Sequence, residues 1–158
     1  MTKPLPTGFH SATICLTLKG ASEAIEFYKK TFDAQELFRM PSQDNKSIMH
    51  AEIKIGDSII MLNDEFPQMN CKSPQSIGGS GSGVYLYMDD VDATLKKAVE
   101  NGAKITMPAT DMFWGDRMGS MIDPFGHVWS IATHLKDLSP EEIAKAAQTA
   151  MKDMCSSA

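Results

Sequence analysis

The sequence predicts an α+β fold made of two tandem strand–helix–three-strand (βαβββ) units that form a curved mixed sheet around a cavity, followed by a C-terminal helix. The first observation behind this prediction is an internal repeat at an offset of about 70 residues. The second is that the spacing of apolar residues changes from that of a strand to that of a helix in the same order in each repeat. The third is a capped helical pattern after the second repeat.

Length and composition limit the classes of protein to which the chain can belong. Its 158 residues suffice for one domain or two small fused repeats, and 42% apolar with 22% charged residues is typical of a globular chain. A disordered chain is therefore excluded. The net charge of −5 opposes binding to nucleic acid, because that affinity depends on clustered cations that neutralise phosphates.

The cysteines and the apolar runs bear on the cellular compartment. Cys15, Cys71 and Cys155 are odd in number and lack C-x-x-C spacing, so they indicate neither a disulfide framework nor a zinc site. The N-terminus has no apolar stretch of signal-peptide length, and no apolar run reaches the roughly 18 residues of a membrane span. We therefore predict a soluble cytoplasmic protein with no membrane partner.

The repeat is visible at both ends of the unit. Residues 16–21 lead from an apolar strand pattern into a helical pattern, and residues 86–91 do the same. Residues 55–57 and 125–127 each place a glycine before an apolar run. Each unit therefore reads as one strand, one helix and three strands.

The predicted elements follow from these patterns and from the turn residues between them. In the first unit, residues 10–63, we expect a helix over 21–32 and strands over 12–18, 35–41, 47–55 and 58–63. In the second unit, residues 83–134, we expect a helix over 91–101 and strands over 83–88, 103–110, 117–123 and 127–134. Asn101-Gly102 is typical of a helix end. Asp123-Pro124-Phe125-Gly126 is typical of a hairpin turn.

A linker and a terminal helix complete a single domain over residues 1–158. Residues 64–82 are rich in proline, glycine and serine, which predicts a flexible connection that either is solvated or covers a ligand site. Ser139-Pro140-Glu141-Glu142 predicts the start of a helix that runs over 139–154. Its apolar stripe should pack on the body or on a second subunit, and comprises Ile143, Ala147, Met151 and Met154.

Alternation along the strands separates two faces of the predicted sheet. In the third strand Met49, Ala51 and Ile53 should face the helix, whereas His50 and Glu52 should project together from the other face. If the sheet curves toward this second face, polar and aromatic side chains surround a cavity typical of small-molecule sites. They are Thr13, Cys15, His50, Glu52, Tyr85, Tyr87, Ser130 and His134.

The motifs resemble those of the vicinal oxygen chelate superfamily, which includes glyoxalases, extradiol dioxygenases and the fosfomycin and bleomycin resistance proteins. The resemblance covers about residues 10 to 134 and rests on the repeat, on Phe27-Tyr28-Lys29-Lys30-Thr31-Phe32, on Asp89-Asp90-Val91-Asp92 and on Asp123-Pro124-Phe125-Gly126-His127. Further stretches resemble its PhnB-like branch, namely Met112-Phe113-Trp114-Gly115-Asp116-Arg117, Ile48-Met49-His50-Ala51-Glu52 and Gly56-Asp57.

The resemblance also implies four metal-ligand positions on the concave face. Alignment of the repeats puts them at Thr13, Ile60 or Met61, Gly83 and Ser130. None supplies the imidazole or carboxylate that a divalent ion requires, so we predict no metal and no cofactor. An alternative is a displaced metal site in which His10, His127 or His134 joins His50 and Glu52.

We therefore predict a metal-independent protein that binds a small organic ligand, with no catalytic residue assigned. Arg117 either grips an anionic ligand through its guanidinium fork or forms a surface ion pair with Asp116. Two alternatives remain: a metal-dependent lyase, isomerase or dioxygenase, and a non-catalytic interaction module. A homodimer is expected under each. The predicted ligand-binding residues are Thr13, His50, Glu52, Tyr85, Tyr87, Trp114, Arg117 and Ser130.

Overall fold

A computed structural model describes residues 4–156 of the chain, with side chains described up to residue 150. The first unit contains β1 (Ile14–Leu18), α1 (Ala21–Phe32), β2 (Gln35–Pro41), β3 (Ile48–Ile55) and β4 (Ser58–Asp64). The second contains β5 (Gly83–Tyr87), α3 (Val91–Glu100), β6 (Lys104–Asp111), β7 (Asp116–Ile122) and β8 (Val128–His134). The predicted α+β class and both tandem units are confirmed.

Each unit builds its own four-stranded mixed sheet. The strand orders are β1-β4-β3-β2 and β5-β8-β7-β6, so the two units have the same topology. The first and last strands of each unit are parallel and the remaining pairs are antiparallel. The helix that follows the first strand of each unit packs on one face of the sheet. We call the other face of each sheet its open face.

The two units share one apolar core on their helix-bearing faces. Tyr28 and Phe32 of α1 pack against Trp129 of β8, with ring centroids 5.3 and 4.7 Å apart. Large aromatic side chains bury enough apolar surface to dominate the energetics of a core. The first helix therefore stabilises the second sheet as well as its own.

Asp123 links the two units through a buried carboxylate. The side chain is 3% exposed. It accepts hydrogen bonds from the Tyr28 hydroxyl (2.7 Å) and the Trp129 indole (2.9 Å). The backbone N–H groups of Phe125 and His127 donate to it as well, each at 2.9 Å. The predicted hairpin turn therefore has a second role, because a buried carboxylate is tolerated only when its oxygens are satisfied.

The start of α1 is held by a side chain from another strand. Gly20 precedes the helix with φ of 95°, a conformation that favours glycine, and provides no side chain to cap the helix. Asp64 at the end of β4 accepts instead from the Gly20 and Ala21 N–H groups at 2.9 and 2.8 Å. A carboxylate at this end also complements the helix dipole.

One β-bulge changes the predicted face assignment in β3. Met40 pairs with His50 whereas Pro41 pairs with Ile48, so Met49 has no partner on β2. Met49 is therefore exposed and Ile48 takes the buried position. The prediction that Met49 lies on the buried face is wrong for this reason, while His50 and Glu52 keep the predicted face.

The segment between the units contains more regular structure than its composition predicts. A 3-10 turn and a short helix, α2, form at Pro67–Met69 and Pro74–Ile77. Glu65 accepts from the Ser73 N–H at 2.7 Å. Hydrogen bonds from Ser76 and Ser73 lower the pKa of Glu65 to about 2. The carboxylate therefore stays ionised and anchors the segment to the end of β4.

The terminal helix, α4 (Pro140–Ser156), begins with the predicted capping box. The Ser139 N–H donates to Glu142 at 2.7 Å, and the Glu142 N–H donates to the Ser139 hydroxyl at 3.2 Å. Ile143 and Ala147 are half-buried, whereas the side chains of Met151 and Met154 lie outside the described residues. Among the helices described here, none has the length and apolarity of a membrane span.

Candidate functional site

The open face of the second unit gathers polar and aromatic side chains from three strands. Strand register sets their neighbours, since Tyr85 pairs with Ser130 and Asp116 pairs with His134. Tyr87 lies two residues along β5 from Tyr85 and therefore on the same face. Five side chains that centre on one carboxylate are here named the Asp116 cluster: Tyr85, Tyr87, Trp114, Asp116 and His134.

Asp116 is the buried centre of this cluster. The residue is 3% exposed. One carboxylate oxygen, Oδ2, accepts from the Tyr87 hydroxyl at 3.0 Å, the Trp114 indole at 3.1 Å and the Tyr85 hydroxyl at 3.4 Å. The other oxygen, Oδ1, lies 2.8 Å from Nδ1 of His134. The carboxylate thus contacts four side chains at once, three through Oδ2 and one through Oδ1.

The ionisation of Asp116 and His134 is coupled. Burial raises the pKa of Asp116, but hydrogen bonds from His134, Tyr87 and Trp114 outweigh it, so the pKa lies below its ordinary value. Hydrogen bonds to Asp116 and then to Asp137 raise the pKa of His134. Nε2 of His134 lies 3.1 Å from the exposed Asp137. The arrangement therefore favours a carboxylate beside an imidazolium.

The two tyrosines keep their protons and expose their rings. The hydrogen bond to Asp116, followed by burial, raises the pKa of Tyr87 to about 12. Burial and then the charge of Asp116 raise the pKa of Tyr85. The side chains are nevertheless 46% and 58% exposed at Tyr85 and Tyr87, with ring centroids 5.3 Å apart. The hydroxyls are tied down while the ring faces remain accessible for stacking.

Chemically, the cluster can bind and orient an organic molecule. The exposed rings offer an apolar surface, and His134 offers a group that can hold or transfer a proton at Nε2 once Asp137 moves aside. A buried carboxylate that orients a histidine is also a common arrangement in acid–base chemistry. Binding needs only the rings and donors, whereas a reaction would need the histidine.

The predicted ligand-binding residues fall into separate groups in the structure. Tyr85, Tyr87 and Trp114 come together around Asp116. Ser130 lies on the same open face, with its hydroxyl 3.2 Å from that of Ser120. The sequence does not reveal Asp116 as the centre of the cluster. The predicted strand begins at residue 117, so the alternation of faces along that strand does not include residue 116.

Arg117 does not reach this group. It follows Asp116 along β7 and therefore projects from the opposite face, toward α3. Its Nε and Nη2 donate to Asp92 at 2.6 and 2.9 Å, and Nη1 donates to Asp111 at 2.8 Å. Arg117 therefore pairs with Asp92 and Asp111 and not with Asp116 as predicted. Its guanidinium, which was also predicted to bind an anionic ligand, already donates to these two carboxylates.

The remaining predicted residues lie on the open face of the first unit. Nε2 of His50 lies 3.1 Å from Glu52, so these side chains contact each other as alternation predicts. The Thr13 hydroxyl donates to the backbone carbonyl of His10 at 3.1 Å. The contacts described for these three side chains therefore stay within the first unit.

Strand register distinguishes Ile60 from Met61 at one of the four metal-ligand positions that the resemblance implies. Cys15 pairs with Met61 just as Tyr85 pairs with Ser130, so Met61 is the counterpart of Ser130. The alternative, Ile60, is buried on the helix side. A thioether at Met61, together with Thr13, Gly83 and Ser130, does not fit a hard divalent ion.

The displaced metal site also lacks its third donor. Nε2 of His127 lies 3.0 Å from the Thr17 carbonyl between the units, and His134 is held by Asp116. Within residues 4–150, whose side chains are described, no group of three or more His, Cys, Asp or Glu residues could hold a metal ion.

A recess of about 680 Å³ lies elsewhere, beside the start of α1. Two of its charged groups, Arg39 and Asp64, already form hydrogen bonds within the fold. Arg39 donates to Glu36 at 2.6 Å and to the Ser22 hydroxyl at 2.9 Å. Asp64 accepts from the backbone at the helix start. These contacts make Arg39 and Asp64 part of the fold, whereas Lys19, Glu23 and Lys46 also line the recess.

Comparisons with known proteins agree with this fold. The model of the Glyoxalase/Bleomycin resistance protein/Dioxygenase superfamily matches residues 10–131. The uncharacterized protein Rv0887c of Mycobacterium tuberculosis is 40% identical over 134 residues, which cover 83% of this chain and 78% of that protein.

Two solved structures show the same fold. A gene product from Arabidopsis thaliana has a TM-score of 0.62 at 26% identity, over 78% of this chain and 98% of that one. A Bacillus cereus PhnB protein, described as a putative 3-demethylubiquinone-9 3-methyltransferase, has a TM-score of 0.60 at 19% identity, over 78% and 99%. At this identity the second structure supports the fold alone.

Proposed function

Since the chain belongs to the Glyoxalase/Bleomycin resistance protein/Dioxygenase superfamily, we propose that it binds a small organic molecule without a metal ion, at the Asp116 cluster. The observation that carries the proposal is the contrast between a 3% exposed carboxylate and the half-exposed tyrosine rings it orients. Burying a charge costs free energy that an apolar residue would avoid. Such an arrangement is therefore better explained by a need to position rings than by a need to fold.

The proposed ligand is planar and unsaturated, so that it stacks on the rings of Tyr85 and Tyr87. Their hydroxyls are committed to Asp116. Polar contacts would therefore come from Ser130 and from Nε2 of His134. We propose direct ligand contact for Tyr85, Tyr87, Ser130 and His134, with Trp114 beside them in the cluster.

The same ligand would also contact Thr13, His50 and Glu52 if the open face of the first unit of one chain met the open face of the second unit of another chain. A homodimer can provide that meeting. Phe38 and Met40 of β2 are large apolar side chains that are exposed, and exposed apolar patches commonly mark interfaces. We therefore propose a homodimer, which light scattering at micromolar concentration tests. A single species near the 17.3 kDa of one chain would contradict it.

The metal-dependent alternative is less well supported by the donors. A lyase, isomerase or dioxygenase of this type would need His50 and Glu52 to converge with a third ligand. Metal analysis of untagged protein discriminates the two functions. Stoichiometric Mn, Fe, Ni or Zn that is lost together with activity on chelation would favour the enzyme.

A thermal-shift screen with planar aromatic antibiotics, phosphonates and thiol adducts of 2-oxoaldehydes tests the proposed function. A ligand that binds the native state raises the melting temperature by mass action, whether or not it reacts. Tyr85→Ala and Tyr87→Ala should each weaken binding about tenfold, because a ring contact contributes about 0.5 to 1.5 kcal/mol beyond its buried area.

Arg117→Gln is the matched control, since Arg117 adjoins Asp116 in sequence but lies on the other face of β7. It should leave ligand affinity unchanged. A hit whose affinity falls in Arg117→Gln and persists in both tyrosine variants would overturn the assignment of the site.

A further inference from the structure

Sulfur side chains gather on the open face of the first unit. Cys15 of β1 and Met61 of β4 are direct partners in the parallel strand pair. Ile60 and Leu62 are both buried on the helix side. Met61 between them therefore projects from the open face, next to Cys15.

The segment between the units adds a third sulfur to this face. Phe66 and Cys71 form an isolated antiparallel bridge, with N–H to carbonyl bonds of 2.9 and 3.2 Å. This bridge directs Cys71 back onto the sheet. Its Sγ lies 3.1 Å from the Thr17 hydroxyl and 3.2 Å from Nδ2 of Asn63. Thr17 and Asn63 are the next pair on this face after Cys15 and Met61.

A single amide group separates the two thiols. Cys15 Sγ lies 3.6 Å from Oδ1 of Asn63, and the amide nitrogen of the same side chain contacts Cys71. Both cysteines are free thiols.

We propose that Cys15, Met61 and Cys71 form a binding site for one soft monovalent cation, with Cu(I) as the matching ion. Two thiolates and a thioether are soft donors that select Cu(I) over hard divalent ions. Binding forms two metal–thiolate bonds and releases the two thiol protons to solvent, so neither sulfur nor metal changes oxidation state.

The surroundings of the thiols suit this role. The Asn63 amide and the Thr17 hydroxyl can donate to a thiolate at Cys71. Cys15 is exposed and Cys71 is half-buried, so an ion can reach both. Of the three proposed donors, only Met61 occupies a metal-ligand position implied by the superfamily. Cys15 and Cys71 lie outside those positions, and Cu(I) is not the divalent ion expected there. The site uses none of the residues of the Asp116 cluster, which belong to the second unit.

The test is an anaerobic titration of the full chain with Cu(I) in competition with a chromogenic Cu(I) chelator. We expect one equivalent to be withheld from the chelator. Cys15→Ser and Cys71→Ser should each weaken binding by at least about 100-fold, since even loss of an outer contact costs about 10- to 100-fold. Met61→Leu should weaken it about tenfold, whereas the control Cys155→Ser should bind as the wild type does.

Alkylation of the wild-type protein gives a second readout that needs no variant. Bound Cu(I) should protect Cys15 and Cys71 from iodoacetamide in peptide mass spectra and leave the extent of alkylation at Cys155 unchanged. The proposal is overturned if no equivalent is withheld, if the Cys15→Ser/Cys71→Ser double variant binds with unchanged affinity, or if X-ray absorption shows nitrogen or oxygen ligands in place of sulfur.

Discussion

The open faces of the two units carry different chemistry on the same strand framework. Where β1 has Cys15 and Thr17, β5 has Tyr85 and Tyr87. Where β4 has Met61, β8 has Ser130. The first face thus carries sulfur and small polar groups, and the second carries aromatic rings around a buried carboxylate.

The helix-bearing faces differ much less. Leu16 and Leu18 of β1 correspond to Leu86 and Met88 around β5, and both pairs pack toward the shared core. A core position accepts any apolar residue of suitable volume, whereas an open-face position is free to take up a specific chemistry. Function in this fold therefore has to be sought on the open faces.

The largest effect should come from the contact that joins the units. Asp123→Ala leaves the Tyr28 hydroxyl and the Trp129 indole without a partner in the core. We expect a loss of about 3 to 4 kcal/mol in the free energy of unfolding, measured by urea denaturation, because each unsatisfied buried group costs about 1 to 3 kcal/mol.

The matched control is Asp57→Ala in the corresponding hairpin of the first unit. Asp57 is exposed and accepts a hydrogen bond from the neighbouring Ser58 hydroxyl. Its loss should cost less than about 0.5 kcal/mol. If both substitutions lowered the free energy of unfolding equally, the hairpins of the two units would contribute equally to stability. The contact of Asp123 with Tyr28 would then not stabilise the packing of the two units.

The next effect concerns the two open faces themselves. Asp116→Ala removes the acceptor of three aromatic donors, so we expect a loss of about 2 to 3 kcal/mol in the free energy of unfolding. Glu52→Gln on the first face breaks one partly exposed contact with His50 and should cost less than about 1 kcal/mol. A larger effect at Glu52 than at Asp116 would reverse the assignment of the polar centre.

Periodicity and the capping motif predict the eight strands and the helices α1, α3 and α4, because burial of one face imposes a regular pattern. The short helix α2 and the 3-10 turn between the units were not predicted. Periodicity could not predict features that depend on distant partners. The Asp123 turn was visible, but its bonds to Tyr28 and Trp129 depend on how the units pack. Arg117 binds the carboxylate of Asp92, which lies on a helix packed against the same sheet, so this contact also depends on packing.

Single-residue irregularities explain the other differences. The bulge in β3 exposes Met49 with no signal in the alternation of the strand. Asp116 stands at the first position of β7, and strand ends are where pattern is weakest. Tyr85 and Tyr87 both lie within the predicted strand over 83–88, whereas Asp116 precedes the predicted strand over 117–123.

The pH dependence of stability should also distinguish the faces. The lowered pKa of Asp116 gives stability that is present above its ordinary value of 3.8 and is lost as pH falls through the folded pKa. The raised pKa of His134 gives stability that is complete below its ordinary value of 6.5 and is lost as pH rises through the folded pKa. The pair therefore stabilises the second unit most between these two values.

Melting temperatures measured across this range test the coupling. His134→Gln should remove the part of the decline above pH 6.5 that belongs to this histidine. His10→Gln is the control, since His10 is exposed at the N-terminal side of the first unit. A pH profile that changes in His10→Gln and not in His134→Gln would contradict the coupling between Asp116 and His134.

The smallest effect is expected at Arg117, the residue whose placement differs most from its prediction. Its partners Asp92 and Asp111 are exposed, and exposed ion pairs contribute little because solvent and salt screen them. Arg117→Gln should therefore leave the urea midpoint within experimental error, and raising the salt concentration should reduce any difference further. A shift as large as that of Asp116→Ala would mean that both faces of β7 depend on charge. The contrast between a buried polar centre on one face and a solvated ion pair on the other would then fail.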